Sequence, residues 1–476
     1  MQMKKWDITI FCFLAWGCAV DFSIPLSHKD SKDAEGDEYE YDIFNDVILD
    51  DWDENEIDQS VLCGNGVVEE GEECDQSEPA QCTTTCETEG IMECIDCRWS
   101  ECIPPEEICD GIDENCNGIV DEGAWISSGE PVLLNSEGGP SFSPVVSWAG
   151  EVVGILWEDW RTGRKQLFFS ALDTERNFLV DEIKVTDQSG GAGSPALKYD
   201  GESFYASWIG KDGADRDFEV YAALLGSDGI VVISPQNISG GKGGDERSCD
   251  IVKVENGFAV AWSAQDGVYV TLIDNSLSNA NTRKIYNSSR SRKVCLTENG
   301  GVIGIFWEDG MEGTMDILGT IVGSDGSNIS GTIQIATGAE DESKPDCVPQ
   351  DGFWVVWQER EAGVYRIEGV HVDSGGITGE KSAMVLCDGN CTEPSIENTG
   401  DSLSIAGIEE KGIEHYLFVV RTDFSGNSVE EKLYIASPEI HPEKPDISSY
   451  ESHVAVAFES DIMTNKNVYV SFAGCE

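Results

Sequence analysis

The sequence has little positive charge and few of the residues that enzymes use most. It contains 30 Lys and Arg against 90 Asp and Glu, which gives a formal net charge of -60. An acidic surface on this scale repels a phosphate backbone, so we expect no nucleic-acid partner. Histidine is scarce, with five in 476 residues, and neither a G-x-S-x-G elbow nor an H-E-x-x-H helix occurs. We therefore identify no catalytic residue and favour a non-enzymatic protein.

The apolar run at the amino terminus, IFCFLAWG, is too short to span a bilayer. It follows Lys4 and Lys5, and this order predicts a signal peptide over residues 1–17. The run ends in LAWGC, which resembles a bacterial lipoprotein box with Cys18 as the lipidated residue. The resemblance implies a secreted, cell-envelope lipoprotein, at the outer membrane, whose membrane contact is the lipid anchor alone. Ordinary cleavage after Ala19 is the alternative.

Cysteine, in contrast, is abundant, and 17 cysteines indicate an oxidising compartment. Residues 18–60 carry dense negative charge, which predicts a self-repelling, disordered linker. Residues 61–124 hold nine cysteines and almost no periodic apolar pattern. A module this small needs disulfides or a metal, because its apolar core is too thin.

Two stretches of this module carry a resemblance. CGNGVVEEGEECD and the following QCTTTC resemble the cysteine-rich repeat of secreted myxobacterial proteins, although the usual Asp-Gly-Asn run is missing. CDGIDENCNGIVDEG, at 109–123, resembles the metal-binding motif of the same surface proteins. The resemblance implies a metal-binding surface protein of the myxobacterial type.

The second stretch also has the spacing of a calcium loop. Alternating oxygen-bearing side chains precede Gly118, a residue that lets the backbone turn sharply around one cation. The predicted calcium ligands are Asp113, Asn115, Asn117, the carbonyl of Ile119, and Asp121, with Asp110 or Glu122 available to complete the set. Zinc held by pairs such as Cys94-x-x-Cys97 is the alternative, but oxygen ligands favour calcium. Cys109 and Cys116 are candidates to close the loop covalently.

From residue 130 to 476 one strand pattern recurs at a period of roughly fifty residues, which is typical of propeller blades. Each copy has apolar residues two and four positions before an anchor, as expected for a strand with one face in a core. The seven anchors are Trp157, Trp208, Trp262, Trp307, Trp357, Gly407 and Phe458. We predict an all-β chain, a seven-bladed β-propeller preceded by a small disulfide-rich module.

Counting the fourth strand of each repeat predicts how the ring closes. The last repeat stops after its third strand, whereas PVLLNS at 131–136 lies before the first repeat without a partner. We expect 131–136 to complete the last blade, which leaves only short, protected sheet edges.

Three groups of propeller residues are candidates for chemistry. The arginines 161, 164, 247, 290, 292 and 360 can meet at one rim or lie scattered over the surface. Acidic residues after the anchors, Glu158, Asp159, Glu308, Asp309 and Glu359, form either solvated hairpin ends, which we favour, or a carboxylate ring. The six cysteines 249, 295, 347, 387, 391 and 475 suit three bridges.

These observations favour a recognition or adhesion protein that binds a protein or glycan ligand through its propeller. A sialidase-like or other glycan hydrolase is the enzymatic alternative, since propeller sialidases hold a carboxylate with an arginine cluster. Their S-x-D-x-G-x-T-W box is missing from this sequence. A structural surface scaffold is the third possibility.

Overall fold

The computed structural model describes residues 64–475 except 65, 76–77, 122, 136–138, 214 and 463–464. These residues belong to one compact unit, Val61–Glu476. The predicted signal peptide, Cys18, the acidic linker and Glu122 lie outside the described residues. Within the described part no α-helix occurs, and no helix is long and apolar enough to cross a membrane.

The amino-terminal module contains two small hairpins held by disulfides. Its strands are β1 (Ala80–Thr83), β2 (Glu89–Met92), β3 (Cys94–Ile95) and β4 (Arg98–Trp99). Its bridges are Cys74–Cys94, Cys82–Cys102 and Cys86–Cys116, and Cys97 is also disulfide-bonded. The suggested Cys109–Cys116 closure is therefore wrong, because Cys116 is bonded to Cys86.

The prediction of a seven-bladed propeller is confirmed. Blades are numbered 1 to 7 in chain order, and the second strand of each carries the anchor residue. Blades 1 to 6 are antiparallel sheets of four strands in sequence order, whereas blade 7 combines three carboxy-terminal strands with two short strands that precede blade 1. Strands β5 to β18 are Ile126–Ser127, Val132–Leu133, Ser141–Ala149, Val152–Asp159, Gln166–Asp173, Phe178–Lys184, Gly191–Tyr199, Phe204–Lys211, Glu219–Leu225, Val231–Asn237, Glu246–Val254, Gly257–Ala264, Gly267–Asp274 and Ala280–Tyr286. Strands β19 to β33 are Ser291–Asn299, Val302–Met311, Thr314–Gly323, Ile333–Ala336, Asp341–Pro349, Phe353–Glu361, Val364–Val372, Ser382–Ala383, Asn390–Asn398, Leu403–Lys411, Glu414–Thr422, Leu433–Ala436, Pro442–Tyr450, His453–Ile462 and Asn465–Gly474, with a 3-10 helix at Pro438–Ile440.

The predicted ring closure is also confirmed. Strand β6 pairs with β33 through Val132 and Leu133, and β5 extends the same edge through Ile126 and Ser127. The amino-terminal strands thus supply the outer edge of blade 7. Because the first and last parts of the propeller share one sheet, the ring has no open seam.

The apolar core lies between neighbouring blades. The five tryptophan anchors are completely buried, and Phe458 stacks on Tyr469. The sixth anchor is Gly407, where an added Cβ would lie 2.7 Å from the Phe418 ring. Phe418 of the adjacent strand thus occupies the space that a tryptophan fills elsewhere.

The cysteines of the propeller do not form three bridges among themselves, as the even count suggested. Cys295–Cys347 joins blades 4 and 5, and Cys387–Cys391 closes a short loop. Cys475 instead bonds to Cys109 of the module, while Cys249 is free and buried. An even count carries no information about which residues the fold brings together.

Candidate functional site

The innermost strands of the blades share an irregularity that shapes one end of the central channel. Each contains a register shift near its start, and in five blades the residue before a proline has a positive φ of 47–57°. These five residues are Ser143, Ser194, Lys344, Glu393 and Lys444. A β-bulge bends its strand, and bulges are common at the rims of barrels. The five residues line one opening of the channel, which we call the funnel.

A cavity of about 850 Å³ occupies this funnel, which is a size typical of ligand sites. It is lined by the innermost strands of all seven blades together with the loop before β19 and the β20–β21 hairpin. Seven of the 30 Lys and Arg residues line it, but only four of the 90 Asp and Glu residues do so. The cavity therefore reverses the charge balance of the whole chain.

The positive charge is concentrated at the entrance. We call this cluster the basic mouth, which consists of Arg247, Arg290, Arg292, Lys293, Lys344 and Lys444. Arg247 donates to the carbonyls of Ser289 and Ser291 at 3.0 and 2.9 Å.

The cations of the mouth differ in whether they are paired. The ammonium of Lys344 lies 2.5 Å from Glu393, and that of Lys444 lies 3.0 Å from Glu459. No ion pair within the described residues involves Arg290, Arg292 or Lys293, and all three are exposed. Uncompensated cations in a concave site are available to an anionic ligand.

Below the mouth lies a second set of charged residues, which we call the inner ring: Lys198, Asp250, Asp346, Glu397 and Asp446. The three aspartates have equivalent positions one residue after a proline or Cys249. Each accepts the backbone N–H of the next blade, from Leu296, Ile396 and Val146 at 2.8, 2.9 and 2.7 Å. The Cys295–Cys347 bridge makes the same link between blades 4 and 5. The aspartates therefore fasten blades together around the channel.

Burial and mutual charge shift the titration of the inner ring. Burial raises the pKa of Asp250 to about 6 and the pKa values of Glu397 and Asp446 to about 7, although Lys198 lowers all three. Burial lowers the pKa of Lys198, but the surrounding carboxylates, Glu397 first, outweigh it and hold that pKa above its ordinary value. The charge of the channel therefore changes near neutral pH.

The structure separates the six arginines considered from sequence. Arg247, Arg290 and Arg292 meet at the mouth, but the other three do not. Arg161 forms ion pairs with Asp159 and Glu182, Arg164 donates to a carbonyl, and Arg360 lies over Tyr365. Three of the six arginines therefore meet at one rim, and the other three do not.

The preferred interpretation of the acidic turns as solvated hairpin ends is wrong. Glu158, Asp159, Glu308 and Glu359 are buried, and Asp309 accepts the hydroxyl of Ser291. Glu158 and Glu308 accept backbone N–H groups from the bulge of the next blade. Glu158 and Glu308 therefore join blades. The other three bond within their own blades: Asp159 with Arg161, Asp309 with Ser291 and Glu359 with Lys381.

The predicted calcium loop is a compact turn in which oxygen atoms face backbone N–H groups. Asp113 accepts from Asn117 N and Gly118 N, and Asn115 Oδ1 accepts from Asn117 N. Asn117 Oδ1 in turn accepts from the N–H of Ile119 at 2.8 Å. The structure thus gathers the first three ligands on one turn, with Asp113 as the only carboxylate among them.

Asp121 is buried and is held differently from these three. It accepts from the N–H groups of Asp110 and Gly111 at 3.1 and 3.0 Å. Glu107, which sequence reasoning missed, accepts from Asn115 N and Asp121 N and so connects both halves of the loop. The donor set is all oxygen and fits calcium, which keeps the site a prediction.

Elsewhere in the described chain, one group of side chains has metal-ligand spacing: Cys387, Cys391 and Glu409. Its two cysteines are bonded to each other, and Glu409 lies 2.9 Å from the ammonium of Lys432. The group therefore has no ligand atoms available for a metal.

Sequence reasoning missed the inner ring, although a signal was present. Lys-Pro-Asp occurs at 344–346 and again at 444–446, and Cys249-Asp250 has the same place in blade 3. A charged residue recurring at a fixed position of an innermost strand indicates a channel-facing role.

Comparison with known proteins gives a match over one short segment and solved structures of low similarity. No family model matches the chain. Over 87 residues it is 38% identical to disintegrin and metalloproteinase domain-containing protein 1 of Rattus norvegicus, covering 15% of this chain and 11% of the rat protein. Among solved structures, the phage phi92 endosialidase has a TM-score of 0.45 at 9% identity, covering 75% of this chain and 70% of that one. The NanB sialidase of Streptococcus pneumoniae has a TM-score of 0.41 at 8% identity, covering 73% and 71%.

Proposed function

We propose that this protein is a non-enzymatic recognition protein that binds an anionic group of a glycan or protein ligand at its basic mouth. One observation carries the proposal: a chain of net charge -60 places seven cations and four carboxylates around one cavity. A solvated acidic protein has no structural need for such a cluster. Exposed, unpaired Arg290, Arg292 and Lys293 are the groups that would make the first contacts.

The field of the protein favours selectivity for the mouth. An anion is repelled by most of the acidic surface, so that the mouth is the place where it meets net positive charge. Guanidinium groups offer paired donors that match carboxylate, sulfate or phosphate oxygens. The ligand class is therefore an anionic group presented on a protrusion narrow enough to enter the funnel.

The location at a cell envelope belongs to the same proposal. Disulfides in both the module and the propeller indicate a secreted or extracellular protein. Lipidation at Cys18, the acidic linker and the myxobacterial-type module would place the propeller at the outside of a membrane. Calcium bound at the Asp113 loop would then have a structural role in the module.

A sialidase-like hydrolase is the second candidate, and the meeting of Arg247, Arg290 and Arg292 favours it. Among the described residues, however, the cavity lining contains no tyrosine or histidine, and its one glutamate, Glu393, is paired with Lys344. Its three aspartates, Asp250, Asp346 and Asp446, each accept a backbone N–H of the next blade, so their carboxyl groups are already held in structural contacts. General acid-base or nucleophilic chemistry needs a carboxyl group or phenol within reach of the substrate. The lining therefore supports binding better than hydrolysis.

The test is a glycan and peptide array that pairs each sialylated, sulfated or uronic-acid ligand with its neutral counterpart. We expect binding to the anionic members alone, with weaker binding at higher salt because the contacts are between ions. The double variant Arg290→Gln and Arg292→Gln should lose at least tenfold in affinity, which corresponds to about 1.4 kcal/mol. The control removes two cations outside the cavity, Lys184→Gln and Arg366→Gln.

Hydrolysis is measured on the same ligands by mass spectrometry. Release of a sugar by the native chain, abolished by Glu393→Gln, would replace recognition with catalysis. Equal binding of anionic and neutral ligands would contradict both.

A further inference from the structure

At the junction of blades 2 and 3, two buried glutamates lie near enough to interact electrostatically, and no ion pair within the described residues involves either of them. Glu219 begins β13 and Glu246 begins β15, and each is 5% exposed. Glu219 Oε2 accepts from Ser239 Oγ at 2.6 Å and from Gly241 N at 2.7 Å. Neither carboxyl oxygen of Glu246 has a hydrogen-bond partner among the described residues. A buried carboxyl group with no partner is costly and needs a compensating group.

Other buried glutamates at this end of the blades do have such a group. Each of them lies within ion-pair distance of a lysine, at 2.6 to 3.1 Å: Glu158 with Lys165, Glu359 with Lys381, Glu409 with Lys432 and Glu459 with Lys466. The pair at blades 2 and 3 lacks the lysine that these four glutamates have. Glu308 and Glu342 are also buried without an ion pair among the described residues, but each occurs without a second buried glutamate that lacks a lysine. A positively charged group is what this junction lacks among the described residues.

The equivalent place between blades 1 and 2 shows that the fold does not require carboxylates here. Gln166 takes the place of Glu219 and accepts from Thr186 Oγ1 and Gln188 N at 2.7 and 3.2 Å. Ala192 takes the place of Glu246, since each pairs with the residue that lies two positions after the anchor tryptophan of its blade. A neutral amide therefore satisfies the same backbone, so the second charge at blades 2 and 3 calls for a different explanation.

The segment above the pair supplies further oxygens and room. Gly240, Gly241, Gly243 and Gly244 all have φ of 62–91°, a backbone region that favours glycine, and Asp245 follows them. This segment is exposed, so a small ion can reach the pair from solvent. Ser239 contributes a hydroxyl oxygen whose single proton is donated to Glu219.

We propose that Glu219 and Glu246 bind a calcium ion between blades 2 and 3, with Ser239 Oγ and backbone carbonyls of residues 240–244 as available further ligands. Hard oxygen donors and two carboxylates are the ligand set that calcium prefers. A divalent ion between the carboxylates would remove the uncompensated charge.

The experiment is calorimetric titration of the full chain carrying Asp113→Ala, which removes the other predicted calcium site. We expect one equivalent of calcium to bind and the melting temperature to rise with calcium. Adding Glu246→Gln should abolish both effects. We expect this variant to fold, because the equivalent junction of blades 1 and 2 already buries a glutamine, Gln166, in the place of Glu219.

The matched control is Glu342→Gln in the same Asp113→Ala chain. Glu342 has the position of Glu246 in blade 5 and carries an unpartnered buried oxygen, but Lys381 lies nearby. Its substitution should leave calcium binding unchanged. No calcium heat in the Asp113→Ala chain at 10 mM calcium, or binding that survives Glu246→Gln, would overturn the proposal and leave Glu246 as a protonated acid.

Discussion

The module and the propeller are stabilised by different means, although they form one unit. In the module, large apolar side chains such as Val67, Val68, Ile108 and Ile112 are exposed. Its buried residues include the carboxyl groups of Asp75, Glu114 and Asp121, which accept backbone N–H groups. The propeller instead buries five tryptophans completely. Where the apolar core is thin, disulfides and carboxylates organise the backbone.

The comparison also changes the meaning of the acidic composition. We expected most carboxylates to be solvated, yet many fasten one segment of backbone to another in both regions. Asp250, Asp346 and Asp446 do this between blades, as Asp121 does within the module. Part of the negative charge is therefore structural.

The largest effect on stability is expected from Trp357→Ala, which tests the blade core. Trp357 is fully buried between blades, and its indole N–H donates to Glu359 at 3.2 Å. Truncation should cost about 3–5 kcal/mol in the free energy of unfolding, measured with denaturant. Trp160, which is 43% exposed, provides the control, and Trp160→Ala should cost below about 0.5 kcal/mol. Similar losses for the two variants would mean that the blade core does not carry the stability.

The next test breaks the bond that joins the two regions. Cys109–Cys475 spans a sequence separation of 366, and Cys109→Ser with Cys475→Ser should lower stability by about 2–4 kcal/mol. The double substitution at Cys387 and Cys391 is the control, because their separation is only 4 and little chain entropy depends on it. Thermal unfolding measures the stability of both variants. A greater loss of stability in the control would contradict the dependence on sequence separation.

A smaller effect is expected from pH. The pKa values of Asp250, Glu397 and Asp446 are raised to about 6, 7 and 7, above the values of about 4 in an unfolded chain. Between pH 4 and 7 the folded protein therefore binds more protons, so its stability rises as pH falls through this window. The melting temperature should increase by about 2–4 °C when the pH is lowered from 7.5 to 5.

The control for pH is the variant Glu397→Gln with Asp446→Asn, whose melting temperature should vary less over the same range. Affinity for an anionic ligand at the mouth should also increase towards pH 5 in the native chain, because the inner ring loses negative charge. An opposite slope in the native chain would show that the raised pKa values are wrong.

The smallest effect concerns calcium at the module. Sites of this kind have dissociation constants of about 10⁻⁴–10⁻³ M, so 10 mM calcium should stabilise the loop by about 1.4 kcal/mol or more. Proteolysis of the Glu246→Gln chain, which lacks the second proposed site, is the measurement. Calcium should slow cleavage within 109–121, and Asp113→Ala should abolish that protection. Protection that persists in Asp113→Ala would refute the ligand assignment.

The repeats were predictable from sequence because each blade contains the same pattern of apolar residues before an anchor. The ring closure was predictable because the segment 131–136 had no partner strand in the first repeat. The basic mouth was not predictable, since Arg290 and Lys444 are 154 positions apart and only ring closure brings their blades around one axis. The same holds for Cys109 and Cys475. Nor did the sequence indicate that Arg421 of blade 6 donates to the carbonyl of Val120 and lies over Trp125.

The Cys109–Cys475 bond has a mechanical consequence. Strand β5 pairs with β33 at Ile126 and Gly474, next to the bonded Cys475. A pull on the amino-terminal side of an unbonded chain would unzip β5 from that end, one hydrogen bond at a time. With the bond in place, the load passes from Cys109 directly into β33, in the interior of the blade 7 sheet. Residues 117–133 lie outside the path between the Cys86–Cys116 and Cys109–Cys475 bridges, so the strands that close the ring stay paired under tension.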